Sequence, residues 1–222
     1  MNDAPRGFVE VFEDFVVDNG SGSSGITETV SGASCDMISK HGGWFRITGS
    51  TGEGDYAILT SELVFEVDEG HPLILEVRLL SNLVANTSVF VGFTDAVGDT
   101  AMPIEYEDAA IDANADDCFG FLLEGEQDVT WLAVAADGDV CETPVALTNG
   151  TDAANDVVQT LRLEANPNDS GTVKYFIDGK LVSTQTGWFD SSKVYAACVA
   201  QDGRATAVLT DIDYIYACAP RS

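Results

Sequence analysis

Residues 157–183 read VVQTLRLEANPNDSGTVKYFIDGKLVS, and this stretch decides the fold. Leu161, Leu163 and Ala165 alternate with Thr160, Arg162 and Glu164; further on, Val173, Tyr175 and Ile177 alternate with Lys174 and Asp178. A period of two places one set of side chains on a core and the other in solvent, which is the mark of a half-buried strand. Residues 166–171, NPNDSG, form a turn cluster, and Asp178-Gly179 is a two-residue hairpin signal because glycine tolerates the positive φ that such a turn needs. The stretch predicts three consecutive antiparallel strands and, with them, a β-sandwich. It carries no catalytic group of its own.

The same patterns recur on both sides. Upstream, residues 42–47 (GGWFRI), 56–67 (YAILTSELVFEV, one long strand or two short ones), 73–80 (LILEVRLL) and 87–94 (TSVFVGFT) read as strands. The last has apolar residues on both faces, as a central strand of a two-layer fold should. Residues 118–123 and 129–135 read as a strand pair, and 194–200 and 207–217 as the two closing strands. This gives about twelve to fourteen strand candidates and no helix, with turn signals at the spacing of a sandwich. No fixed-period repeat appears. The predicted class is all-β, a two-sheet antiparallel jelly roll. Residues 1–25, with an apolar-acidic segment at 8–12 that reads either as a first strand or as an arm laid on a neighbour and with NGSGSSG at 19–25, read as an N-terminal arm and flexible linker; residues 26–222 read as one sandwich domain.

Charge narrows the partners. Ten Lys+Arg stand against 37 Asp+Glu, a formal net charge of −27 in 222 residues. Such a surface repels nucleic acid and anionic membranes, and it suits work in high salt or divalent cations, or an outward-facing coat. The N-terminus has no basic region and no long apolar run, which predicts neither a signal peptide nor a transmembrane helix and places synthesis in a cytoplasm. The five cysteines (Cys35, Cys118, Cys141, Cys198, Cys218) show no CxxC pair, and their odd number and wide spacing fit buried thiols better than a disulfide framework; a single Cys118–Cys141 bridge is the alternative.

Candidate chemistry is sparse. Asp112, Asn114 and Asp116 alternate as the oxygen ligands of a calcium loop do, but the positions where an EF-hand needs Gly and Glu hold Asp117 and Leu123. A looser calcium or magnesium site drawn from Glu105, Glu107, Asp108, Asp112, Asn114 and Asp116 competes with a plain solvated acidic loop, which the acidic composition favours. Glu62 and Glu66 are four apart and share a face of one strand, yet they lack the middle carboxylate of the laminarinase-type pattern Glu-x-Asp-x-x-Glu. His41 and His71 sit beside Gly or Pro, away from any Cys or His at metal spacing, and read as turn residues. Trp188 and Tyr106 are the candidates for stacking a sugar, against the commoner use of aromatics in cores and interfaces. No phosphate loop, dinucleotide fingerprint or other enzyme signature appears, so the expectation is a non-enzyme without a required cofactor.

Residues 88–96 (SVFVGFTDA) with Met102-Pro103-Ile104, then 159–179 (QTLRLEANPNDSGTVKYFIDG), then 211–216 (DIDYIY), together resemble structural proteins of tailed bacteriophages that carry a concanavalin A-like (lectin/laminin-G-like) jelly roll. The resemblance spans roughly residues 60–218, and the Phe-Ile-Asp-Gly hairpin is common to the whole concanavalin-like superfamily. It implies a virion structural protein: a capsid decoration or cement protein on the exterior of the phage head, assembled in the host cytoplasm. Its partners would be the major capsid protein and further copies of itself, a trimer being one closed form. No catalytic residue carries over. The alternative is a carbohydrate-binding lectin-like module, free or as a host-attachment appendage; a glycoside hydrolase is the third reading.

Overall fold

The computed structural model describes residues 8–15, 25–38, 40, 43–52, 54–66, 72–98, 100–107, 110–138, 140–167, 171–190, 192–204 and 206–220. His41, His71 and Asp108 lie outside the described residues. The chain begins with β1 (Phe8–Glu13), β2 (Ile26–Ser31), β3 (Ser34–Ile38), β4 (Trp44–Thr48), β5 (Tyr56–Ser61) and β6 (Phe65–Glu66). It continues through β7 (Leu73–Ser81), a 3-10 turn (Val84–Asn86), β8 (Ser88–Thr94), β9 (Ile104–Glu107), β10 (Ala110–Ala113) and β11 (Asp117–Glu124). It closes with β12 (Leu132–Asp137), β13 (Val140–Cys141), β14 (Val145–Ala146), β15 (Gln159–Asn166), β16 (Thr172–Ile177), β17 (Lys180–Gln185), β18 (Val194–Asp202) and β19 (Leu209–Pro220).

Two sheets stack face to face. Sheet A runs β17–β16–β15–β7–β19–β4–β3, with β1 added to β19; sheet B runs β13–β12–β11–β8–β18–β5–β2, with β14 on β12 and β6 on β18. Among the described residues every strand pairing is antiparallel. This is the all-β two-sheet sandwich that the sequence predicts. The deciding stretch forms β15, β16 and β17 as expected. Leu161, Leu163, Ala165, Val173, Tyr175 and Ile177 all point into the core, at most 2% exposed. Asp178 and Gly179 take φ of 51° and 76°. Two positive φ values in a two-residue loop define a type I′ turn, whose twist matches that of the flanking strands. The Asp178 carboxylate accepts a hydrogen bond from the Thr160 amide at 2.9 Å, tying the turn back to β15.

The core between the sheets is aromatic. Phe121 packs edge-on against Tyr175 and Trp131 (centroids 5.2 and 6.1 Å), and Phe119 against Tyr195 at 5.2 Å. Burying each such side chain contributes about 1.5–3 kcal/mol. The Trp131 indole nitrogen donates to the Gln159 side chain at 3.0 Å, so its one polar atom is satisfied inside the core.

Three local readings are resolved by the structure. Residues 8–13 take the first-strand reading and not that of an arm laid on a neighbour: Val9 and Val11 pack against the core, and β1 pairs with the far half of β19, from Phe8 opposite Pro220 to Glu13 opposite Ile215. β4 occupies the same flank of β19 at residues 209–212 and ends there, leaving the remaining ladder groups open for β1. The stretch 56–67 divides into β5 and β6, with Glu62 exposed in the break and Glu66 exposed on β6, so the two glutamates do not share one strand. The acidic loop around residues 105–116 is instead built on the β9–β10 hairpin, in which Ile104 faces Ala113 and Tyr106 faces Ile111.

Candidate functional site

The outer face of sheet B is where chemistry collects. Register places its side chains in cross-strand rows. Leu122, Phe90, Ala200 and Ile58 form one row; Val134, Gly120, Gly92 and Cys198 form the next. These residues are apolar, so this face needs its own cover. The cover is the β9–β10 hairpin: Met102, Ile104 and Ala115 join Phe90, Cys118, Leu122, Val134 and Ala136 in a second hydrophobic cluster, with Ile111 and Ala113 packed against it. Under the hairpin, Gly92 and Gly120 lie directly opposite each other, and the ring of Phe90 fills the space over both.

The row at one end is polar: Tyr56, Asp202, Ser88 and Glu124 stand side by side across β5, β18, β8 and β11. Asp202 and Glu124 are 7% and 2% exposed. Arg204, just beyond β18, bridges them, with one guanidinium nitrogen 2.6 Å from Glu124 and the other 3.0 Å from Asp202. A planar fork between two carboxylates fixes all three groups in one orientation. Burial pushes the Asp202 carboxyl up to about 6, against the pull of Arg204, and Glu105 on the overhanging hairpin pushes the same way. Burial also raises Glu124, while Arg204 and the Ser88 hydroxyl lower it. The turn that presents Arg204 is pinned from below: the Gly203 amide donates to the Asp55 carbonyl at 2.5 Å, and the Asp55 side chain bonds to Ser50. A Cβ on Gly203 would run into the Gly52 carbonyl, so that turn needs glycine.

At the other end of sheet B, Lys193 reaches Asp117 at 2.5 Å and Asp95 at 3.8 Å, closing a second carboxylate pair. Asp117 is 2% exposed, and Asp95 is raised first by burial.

The residues singled out from sequence fall as follows. Asp112, Asn114 and Asp116 are all exposed. Their ligand atoms do not converge: Asp112 accepts from the Ala113 amide at 3.1 Å, and the Asn114 amide group donates to the Met102 carbonyl at 2.9 Å and to Glu105 at 2.6 Å. Among the described residues no group of three or more His, Cys, Asp or Glu side chains is placed to hold a metal ion. Cys118 and Cys141 are free thiols on register-matched positions two strands apart, each opposite Ala136. Two strand spacings are about 9.6 Å, beyond the roughly 7 Å a disulfide can span. Tyr106 is half-buried on the hairpin that crosses sheet B. Trp188 is no sugar platform: it is 7% exposed and packs edge-on against Tyr175 at 6.2 Å, because the connection after β17 folds over the end of the core. Trp188→Ala is expected to lower unfolding stability by about 3–5 kcal/mol in a urea titration, and to leave the ligand affinity of the folded fraction unchanged.

Sequence reasoning missed Glu124, Asp202 and Arg204, the residues that the fold brings together. A signal was present, since each acid ends a largely apolar strand, CFGFLLE and AACVAQD.

No family model and no curated protein matches the chain. Solved structures do. A protein of unknown function from Shewanella oneidensis MR-1 is 16% identical, with a TM-score of 0.68 over 100% of this chain and 90% of that one. The carbohydrate recognition domain of Emp46p, in its potassium-bound form, is 13% identical with a TM-score of 0.64 over 96% and 97% of the two chains. A β-glucanase from Bacillus licheniformis is 13% identical with a TM-score of 0.58 over 97% and 99%. The fold is the concanavalin A-like sandwich of lectins and glucanases. At these identities the likeness shows the fold alone.

Proposed function

We propose that this chain is a carbohydrate-binding sandwich whose ligand docks at the polar end of the outer face of sheet B. The observation that carries the reading is the carboxylate–guanidinium–carboxylate fork of Glu124, Arg204 and Asp202, set beside Tyr56 and beneath a hairpin that bears Glu105 and Tyr106. Sugar recognition needs fixed hydrogen-bonding groups next to an apolar or aromatic surface, and this end of the sheet supplies both. The fold supports the reading, because a carbohydrate recognition domain shares it. With a net charge of −27 around the site, the ligand class is neutral or amino-sugar oligosaccharide; polyanionic glycans are repelled. The site is one for binding, since Arg204 engages both carboxylates and leaves neither free as a nucleophile.

A glycan array probed with the full chain is the test. The expected result is binding to neutral or amino-sugar ligands, weakened at least about tenfold in Tyr106→Ala, with no turnover of the bound glycan. An array blank at millimolar ligand contradicts the reading.

A second reading, decoration of a phage head through contacts with the major capsid protein, is what the resemblance drawn from residues 88–96, 159–179 and 211–216 implies. It expects the purified chain to bind undecorated capsids at saturable stoichiometry. Both roles can coexist in a glycan-binding protein on a virion exterior.

A further inference from the structure

The outer face of sheet A differs from the rest of this molecule. Among the described residues, strand alternation brings Lys40, Arg46, Arg78, Arg162 and Lys174 onto or against it, together with six acids: Glu10, Asp36, Glu76, Glu164, Asp211 and Asp213. This face is therefore close to neutral on a strongly anionic protein. Its charges pair with one another: Arg46 with Asp211 at 2.6 Å, Arg162 with Glu164 at 2.8 Å and with Glu76 at 3.2 Å, and Arg78 with Asp213.

One cross-strand row runs the width of the face, from Phe12 through Tyr216, Glu76, Arg162 and Phe176 to Leu181. Its two ends are exposed apolar side chains, Phe12 at 57% and Leu181 at 49%. Phe12 is held upright between Tyr214 and Tyr216, with both ring centroids 6.3 Å away. Aromatics and arginines with an exposed apolar anchor are the composition of a protein–protein interface.

We infer that the outer face of sheet A is the surface through which two copies of this chain associate back to back. Charge selects the occupant. Two chains of net charge −27 repel over most approaches, and this near-neutral face offers alternating signs that a two-fold axis can match cation to anion. Area agrees. Seven strands at about 4.8 Å spacing and the roughly 27 Å of nine-residue β7 outline about 800 Å², which is what each partner of a standard interface buries. The contact leaves the polar end of sheet B open, so both copies would present it outward.

Light scattering with the full chain at about 100 μM in 150 mM salt, where the Debye length is about 8 Å, tests the inference. The expected result is twice the chain mass of 23.5 kDa. Phe12→Asp should raise the dissociation constant at least about 30-fold with unchanged circular dichroism. Leu181→Asp, at the far end of the row, is the second variant should Phe12→Asp fail to fold. Reversing Arg162 and Glu76 together should restore association that Arg162→Glu alone removes. A monomer at this concentration, a trimer, or a dimer indifferent to Phe12→Asp and Leu181→Asp would overturn the inference.

Discussion

Arg204→Met is expected to destabilise the fold by about 3–5 kcal/mol at pH 8, because it leaves two buried carboxylates facing each other without their shared cation. The arginine is itself largely buried, with its side chain 15% exposed, so solvent cannot replace it. The pH dependence identifies the cause. Asp202 already titrates near 6 in the folded protein, above the ordinary aspartate value of 3.8. A raised carboxyl pKa means that the folded state holds its proton at higher pH than the unfolded chain. Its contribution favours folding below about pH 4 and is lost as pH rises through 6. Removing Arg204 pushes both Asp202 and Glu124 further up. The deficit of the variant should then be greatest at pH 8 and shrink as pH falls towards 5. Asp211 works the opposite way: burial raises it, but Arg46 and Lys40 hold it below the usual range. Its contribution is lost only in stronger acid, so the window from pH 5 to 8 isolates the Arg204 effect. Urea titrations at pH 5, 6.5 and 8 check this. A deficit that does not change with pH would mean that the lost packing of the side chain, and not the charge, is responsible.

Gly92→Val should be more damaging still. A Cβ at this position would meet the Phe119 carbonyl oxygen and would lie 2.6 Å from the Phe90 ring and 2.8 Å from the Gly120 Cα. Two of these neighbours are backbone in the adjacent strand β11, which cannot yield without breaking the ladder. Gly120 is equally confined, with a Cβ reaching 2.5 Å from the Val91 carbonyl. A branched side chain at Gly92 would also eject the Phe90 ring and unseat the hairpin that packs on it. The expected outcome is insoluble protein, or a loss of more than about 4 kcal/mol measured by denaturant unfolding. A Gly98→Ala control should stay close to wild type in solubility: a Cβ there meets nothing within 4 Å, and the positive φ of 78° costs about 1–2 kcal/mol.

The parts of the fold that were legible in sequence are those determined by local pattern. Leu161, Leu163 and Ala165 alternate within one strand, and Asp178-Gly179 sets its own turn, so β15 to β17 need no knowledge of the rest of the chain. Trp188 shows where local pattern ends: a tryptophan in a connection looks the same whether it faces solvent or, as here, caps Tyr175. The β9–β10 hairpin was hidden by its acids, although Ile104 and Tyr106 alternate with Glu105 and Glu107 as a strand requires. The candidate site was the least legible. Glu124 and Arg204 are 80 residues apart, and they meet only because β8 sits between β11 and β18 with a register that aligns Ser88 with both Glu124 and Asp202.

Backbone amide shifts of the isotope-labelled chain, followed by NMR during titration with the strongest glycan from the array, test the proposed site most directly. Saturable shifts concentrated at Tyr56, Ser88, Tyr106, Glu124, Asp202 and Arg204, with sheet A unmoved, are the predicted result. Shifts confined to the outer face of sheet A, or spread evenly without saturation, would contradict it.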